Sequence, residues 1–478
     1  MHSANHHLHF LLFLSLFLAL SRVQGQGDGR AGLSTSEREK LSRLVDQNTV
    51  FEQGISGFSL YDVSTSARLY DYNADRLFVP ASNVKLFTFY VANRVLGNRA
   101  PAVFYQNYLD HLELWGTGYP LTLHPQFLAD DLLTPWLRQK GIAPNTNVLG
   151  TSGRAPLGET PKPIIIHYPT GQDQLPRYGA GWSWDDYNGG YVFERSTFPM
   201  FGNRLYVEQQ ESEVPGVPFV YSSPPNALSQ ITQDADQRPR TWRREFDNGF
   251  VVRPGYLPNS YPLQRSLTLS PVWMVSELNA ALPGLNASPG YQPYPPRADL
   301  NTFEVTLPDT VYRRFLQNSD NYLAEQLLLL AAAQRYGVPD EERIIDYARD
   351  TLFPALGISD FRWVDGSGLS RYNLVTPRQL TRIVMALDQE VGRERLLDLL
   401  PSGGGDNGTL KRRFDGASEP YVWAKTGSLS GVACISGLVK TKRGRWLAFS
   451  FMHNNFVQSS LRYYIEMEKV LGWCYEEL

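Results

Sequence analysis

The amino-acid sequence predicts an α+β fold. One antiparallel sheet flanked by helices is assembled from both ends of the chain, around a large, mostly-β insertion of two subdomains. Three observations point there. Near the N-terminus, a helical pattern is followed by two alternating apolar–polar runs around a turn. At the C-terminus, strand-like runs precede a closing helix. Between them the composition shifts to Pro, Gly, Tyr and Trp with short β-branched runs.

The elements follow in order. Residues 9–20, HFLLFLSLFLAL, are apolar but too few to span a bilayer comfortably, and small residues come next. That fits a signal peptide, residues 1–25, with an uncleaved anchor as the alternative. Residues 34–48 have a Ser/Thr start and helical periodicity. GFSLYDVSTSARLYDYNADRLFVP alternates on either side of DVSTSA, the pattern of a hairpin. VPASNVKLFTFYVANRVLG (residues 79–97) then opens a buried helix, within a first segment of the main domain at 26–105. Residues 106–294 are the insertion, with strands at KPIIIHY and RLYVEQ and one helix over HPQFLADDLLTPWLRQKG. Residues 295–478 complete the main domain. DTVYRRFLQNSDNYLAEQLLLLAAAQRYG holds two helices broken near Asn318, and EERIIDYARDTLFPALG another. TPRQLTRIVMALDQ has Thr376 as N-cap and Pro377 at its first position. Two strands follow, YVWAKTGSLSGVACISGLVKT with a break at GSLSG and then RWLAFSFMHN, before the last helix.

Composition narrows the function. Hydrophobic residues make up 42% of the 478 and charged residues 19%, as in a globular body. The net charge of −3, with both signs mixed along the chain, leaves no basic stripe for nucleic acid. Two cysteines, Cys434 and Cys474, exclude a disulfide framework and leave one bridge or two buried thiols. His111, His124, His167 and His453 are scattered without metal-ligand spacing, so neither a metal nor another cofactor is expected. No G-x-S-x-G elbow exists, which disfavours a serine–histidine pair.

Ser82-x-x-Lys85 offers another serine chemistry. Alone it is weak: a serine here is more often a helix cap, and a lysine more often a snorkelling surface residue. Two further motifs follow in order, Ser319-Asp320-Asn321 and Lys425-Thr426-Gly427. Residues i and i+3 share a helical face, so Lys85 can take a proton from Ser82. Burial and a second cation, Lys425, would keep Lys85 partly neutral. Ser319 would pass a proton to the leaving group, and Asn321 offers a carbonyl to Lys85 and an NH2 to a substrate carbonyl. Lys425 and Thr426, at the end of an edge strand, would hold a terminal carboxylate. Gly427 leaves room for an extended peptide. The N–H groups of Ser82 and Ser428 would form an oxyanion hole.

With all three motifs in place, the chain resembles the class C low-molecular-mass penicillin-binding proteins, D-alanyl-D-alanine carboxypeptidases with endopeptidase activity. Ser82 and Ser319 lie 237 residues apart, room for the large insertion of that family. GWSWDD, SDNYLAEQLL, DGSGLSRYNLVTP, GTLKRRF and AKTGSLSGV match its pattern too, whereas GTGYPLTL departs from its usual G-D-P-x-L. The resemblance implies a β-lactamase/transpeptidase-like domain with Ser82 as acylated nucleophile and Lys85 as its base. Ser319, Asn321, Lys425 and Thr426 complete the site. It further implies that Asp186, with Asp185 as rival, and Arg371 bind the free end of the peptide side chain. Trp184, Leu369, Leu429 and Ser430 would line that pocket, whose two signs suit meso-diaminopimelate.

The function expected is a serine DD-peptidase acting on peptidoglycan peptides in the periplasm, acylated by β-lactam antibiotics. Peripheral contact with the membrane is compatible with this, and nucleic acid is not a partner. A serine β-lactamase and a non-catalytic wall-binding protein are the rivals.

Overall fold

The computed structural model describes residues 32–142, 161–171, 174–210, 219–236, 241–253, 263–406 and 408–478. The expected signal peptide lies outside them.

A five-stranded antiparallel sheet draws strands from both ends of the chain. Its order is Val422–Leu429, Val432–Lys440, Trp446–Asn454, Ile55–Asp62, Arg68–Tyr72. The first of the two expected C-terminal strands is thus a hairpin of two, turning at Gly431 with φ 71°. The KTG segment lies on the edge strand. Both faces of the sheet are covered, so the central strands VACISGLVK and WLAFSFMHN are buried along almost their whole length. Phe58, Ile435, Phe449 and Phe451 face the helices Thr35–Val45 and Ser460–Glu477. Cys434, Ala448 and Met452 face the opposite core with the helix Pro377–Val391. Capping boxes start two of these helices, Ser34 with Glu37 and Thr376 with Gln379.

Two helices, Lys85–Leu96 and Asn321–Tyr336, pack together at the centre. Each is apolar nearly all round, and such a helix needs neighbours on every side. Tyr322 through Ala333 are all buried. The N-terminal ends of this pair carry the Ser-x-x-Lys and SDN motifs.

Strand Ala100–Asn107 crosses the boundary expected between 105 and 106 and pairs antiparallel with Asn301–Val305, which lies just beyond the one expected at 294. They belong to a second five-stranded sheet with Leu112–Gly116, Ile164–His167 and Ala287–Gly290. Alternation in a sequence reveals a strand but not which sheet it joins. Two three-stranded sheets complete the described part of the insertion. The helix expected over 124–141 is confined to Leu133–Gly141. Asp131 Oδ1 starts it by accepting the backbone N–H groups of Leu133 and Thr134 at 3.0 and 3.1 Å. A further helix, Pro271–Ala281, was not expected, although its signal was present: Ser270 caps it and Pro271 opens it. Cys434 and Cys474 are buried free thiols.

Phe451 is fully buried and stacks on Phe58 with ring centroids 4.0 Å apart. Phe451→Ala is expected to cost about 3–5 kcal/mol in chemical denaturation. A loss below about 1 kcal/mol would contradict this packing.

Candidate active site

Pro80 precedes a 3₁₀ turn, Ala81–Val84, that runs directly into the helix Lys85–Leu96. Ser82 therefore sits in this turn and not on the α-helix as expected. With three residues per turn, a 3₁₀ segment stacks side chains i and i+3 one above the other. The consequence survives: Lys85 Nζ lies 3.0 Å from Ser82 Oγ. No side chain caps either the turn or the helix, so Ser82 has no capping role.

Two glycines let other segments close on this turn. Gly427 on the edge strand has no room for a Cβ, which would lie 2.6 Å from the Pro80 carbonyl oxygen. Gly368, in DGSGLSR, has φ 82°, and a Cβ there would lie 2.0 Å from the Ala81 carbonyl oxygen.

Lys85 is fully buried. Its amine donates to Asn321 Oδ1 and to the Ser367 carbonyl, both at 2.6 Å. Burial lowers its pKa to about 8, against the opposing pull of Asp365, Glu325 and Asp320. Lys425 is also fully buried, its Nζ 2.9 Å from the Thr426 carbonyl. Burial first, and the charge of Lys85 second, push it well below the ordinary lysine range.

The SDN motif bridges the helices Asp309–Gln317 and Asn321–Tyr336, with Ser319 half-buried in the left-handed region at φ 57°. Asp320 caps the second helix by accepting Leu323 N–H at 3.1 Å. Arg204 of the insertion and Arg314 approach the same carboxylate at 3.2 and 3.3 Å. Asn321 Nδ2 donates to the Tyr191 carbonyl at 2.8 Å. Of the NH2 expected to meet substrate, one hydrogen is thus committed to the insertion. On the edge strand, successive side chains point to opposite faces. Thr426 Oγ1 donates to Thr409 Oγ1 at 2.8 Å, and Ser428 Oγ lies 3.0 Å from the Tyr464 hydroxyl. Thr409 was missed, although its GTLKRRF segment was conspicuous.

The family model described as the D-Ala-D-Ala carboxypeptidase 3 (S13) family matches residues 37–103 and 307–470, the two blocks that flank the insertion and carry all three motifs. The chain belongs to the D-Ala-D-Ala carboxypeptidase 3 (S13) family. D-alanyl-D-alanine carboxypeptidase DacB of Haemophilus influenzae is 31% identical over 160 residues, 32% of this chain and 33% of that protein. Penicillin-sensitive carboxypeptidase A of Dictyostelium discoideum is 31% identical over 150 residues, 30% of this chain and 28% of that protein. The match spans about a third of the length of these curated relatives. The crystal structure of penicillin binding protein 4 (dacB) from Haemophilus influenzae covers 92% of this chain and 99% of its own, with a TM-score of 0.66 at 20% identity. The fold is therefore that of penicillin binding protein 4.

Within this S13 chain, the residues expected around the peptide side chain separate into two groups. Arg371, Leu429 and Ser430 line an open groove of about 750 Å³ with Gly431, Asn455 and Phe456, and Arg371 donates to the Ser430 carbonyl at 3.1 Å. Leu369 is half-buried beside it in sequence. Trp184 and Asp186 do not line this groove. Trp184 is 67% exposed, and Asp186 accepts from the Tyr191 hydroxyl at 2.5 Å, on the Asn321 side of the site; Asp185 is exposed. The tryptophan that pins this segment is Trp182, whose indole donates to Asp365 at 2.8 Å.

The Asp320 carboxyl is held far below its ordinary range by Arg204 and Arg314, against burial. A depressed folded-state pKa gives stability that is full above the unfolded value of about 3.9 and is lost as pH falls through the folded one. Asp320→Ala strands Arg204 in the interior and is expected to cost about 3–5 kcal/mol at neutral pH. Thermal melts from pH 7 down to 3 should show the wild-type advantage shrinking only at the acid end. An advantage independent of pH would contradict the ion-pair reading.

Proposed function

We propose that this chain is a serine-type D-Ala-D-Ala carboxypeptidase and DD-endopeptidase acting on peptidoglycan stem peptides. The observation that carries the reading is the buried Lys85 amine, 3.0 Å from Ser82 Oγ and with a pKa of about 8, in a site assembled from all three motifs. The names of the Haemophilus and Dictyostelium relatives support it.

Ser82 Oγ attacks the carbonyl of the penultimate D-alanine, or of a D-alanine in a cross-link, as its proton passes to neutral Lys85. The developing oxyanion is met by the backbone N–H groups of Ser82 and Ser428. Ser319 delivers a proton to the departing amine, and water then hydrolyses the acyl-enzyme. Lys425 and Thr426 receive the terminal carboxylate. An arriving carboxylate favours the charged form of Lys425, so burial of the empty site and charge in the occupied one are compatible. Arg371 and Asp186 engage the peptide side chain from two sides. β-Lactams acylate Ser82 by the same attack. The substrate lies outside the cytoplasm, and residues 9–20 would direct export to it. Among the described residues no helix is long and apolar enough to cross a membrane.

Purified muropeptides should lose terminal D-alanine or have cross-links cut, and Ser82→Ala should abolish both. Rapid turnover of penicillin with intact muropeptides would instead support a β-lactamase. Lys85→Met should lower kcat/KM by about 10²–10⁴-fold. In the wild type, kcat/KM should rise about tenfold per pH unit as Lys85 loses its proton, and level off above about pH 8. A flat profile between pH 6 and 8 would remove Lys85 as the base.

A further inference from the structure

A neutral amine has two N–H groups and one lone pair. Three oxygens surround Lys85 Nζ: Asn321 Oδ1 and the Ser367 carbonyl, both at 2.6 Å, and Ser82 Oγ at 3.0 Å. The two carbonyl oxygens can only accept, whereas the serine hydroxyl can also donate. Once both N–H groups are committed to the carbonyls, the lone pair is left facing Ser82. The direction of the base is therefore set by Asn321 and by a backbone carbonyl in the DGSG loop.

That carbonyl needs its own support, and the two flanking N–H groups receive it. Ser367 N–H donates to Glu325 Oε1 at 2.7 Å, and Gly368 N–H donates to Asp365 Oδ1 at 2.9 Å. Both carboxyl groups are buried. Glu325 lies four residues after Asn321 on the same helix, so one helical face carries both supports of the amine. Thr88 Oγ1, on the lysine helix, donates to the preceding carbonyl, that of Gly366, at 2.6 Å. Behind Glu325, Arg195 of the insertion makes a short ion pair with Glu341 and stands 3.8 Å from Glu325.

We propose that Glu325 is a positioning residue for the reaction: with Asp365, it holds the Ser367 peptide so that its carbonyl takes one N–H of Lys85 and turns the lone pair onto Ser82. The proposal rests on the serine-peptidase reading for its kinetic consequence, but not for the geometry of Lys85. The hydrogen-bond acceptor is what matters, not the charge. Burial and the neighbouring Glu341 carboxylate push Glu325 well above the ordinary carboxylic-acid range, toward its neutral form.

Two variants separate these roles. Glu325→Gln keeps an acceptor for Ser367 N–H; Glu325→Met keeps the length without one. With a chromogenic β-lactam, the non-covalent binding constant and the acylation rate constant are measured separately. Glu325→Met should acylate about 10- to 100-fold more slowly, with binding within twofold of wild type. Glu325→Gln should acylate within threefold of wild type. The proposal is overturned if Met acylates like wild type, if binding and acylation fall together, or if Gln is as slow as Met. Should Glu325→Met fail to fold, Glu325→Ala must show the same split.

A wild type that β-lactams do not acylate would sink the peptidase reading, and the positioning claim is then read from Lys85 directly. The titratable and charged groups around it are Asp320 and Glu325 on the SDN helix, Asp365 in the DGSG loop and Lys425 on the edge strand, with Arg195 and Glu341 behind Glu325. NMR titration of 13C-labelled lysines should give Lys85 a lower pKa in the Met variant than in the Gln variant, neither of which carries the Glu325 charge, because in Met alone the ammonium loses a carbonyl partner. Identical titrations in the two variants would refute it.

Discussion

A lysine amine buried at the centre of the molecule is the constraint to which the rest of the site conforms. Taking Lys85 out of water disfavours its charge, and leaving its N–H groups unmatched would be costly as well. The fold supplies an acceptor for each: Asn321 from one buried helix, the Ser367 carbonyl from a loop, and Ser82 from the turn at the helix start. The same burial that costs stability brings the amine to a pKa of about 8, where it can serve as a base near neutral pH.

The insertion takes part in this centre. Tyr191 fixes the Asn321 amide so that its oxygen faces Lys85, Arg204 neutralises the Asp320 cap, and Arg195 stands behind Glu325. All three act on the first turns of one helix, Asn321–Tyr336. A large segment that is mostly remote from the chemistry thus holds the helix that presents the motif.

How much of this was legible follows from what each contact is made of. Ser82, Lys85, Ser319, Asn321 and Lys425 stand in short motifs, and the helices of Lys85 and Asn321 and the strand of Lys425 follow from local periodicity and Gly or Pro punctuation. The five-stranded sheet was legible because strand patterns sit toward both chain ends. The carbonyls of Tyr191 and Ser367 were not, since a backbone oxygen leaves no signature in residue identity. The Arg204–Asp320 pair, 116 residues apart, depends on how the insertion folds back, which local patterns do not encode. The 3₁₀ turn at Ser82 was hidden because i, i+3 spacing suits both helix types. Trp184 was singled out by the resemblance and is exposed, whereas it is Trp182, two residues earlier, whose indole reaches Asp365.

The most direct test of a Ser82 nucleophile served by a buried Lys85 is to locate the covalent adduct. Purified protein is incubated with penicillin, digested, and its peptides are mapped by mass spectrometry. The expected result is a single acyl adduct on Ser82, absent from Ser82→Ala and formed far more slowly in Lys85→Met. An adduct on another residue, or none on a folded wild-type protein, would contradict it.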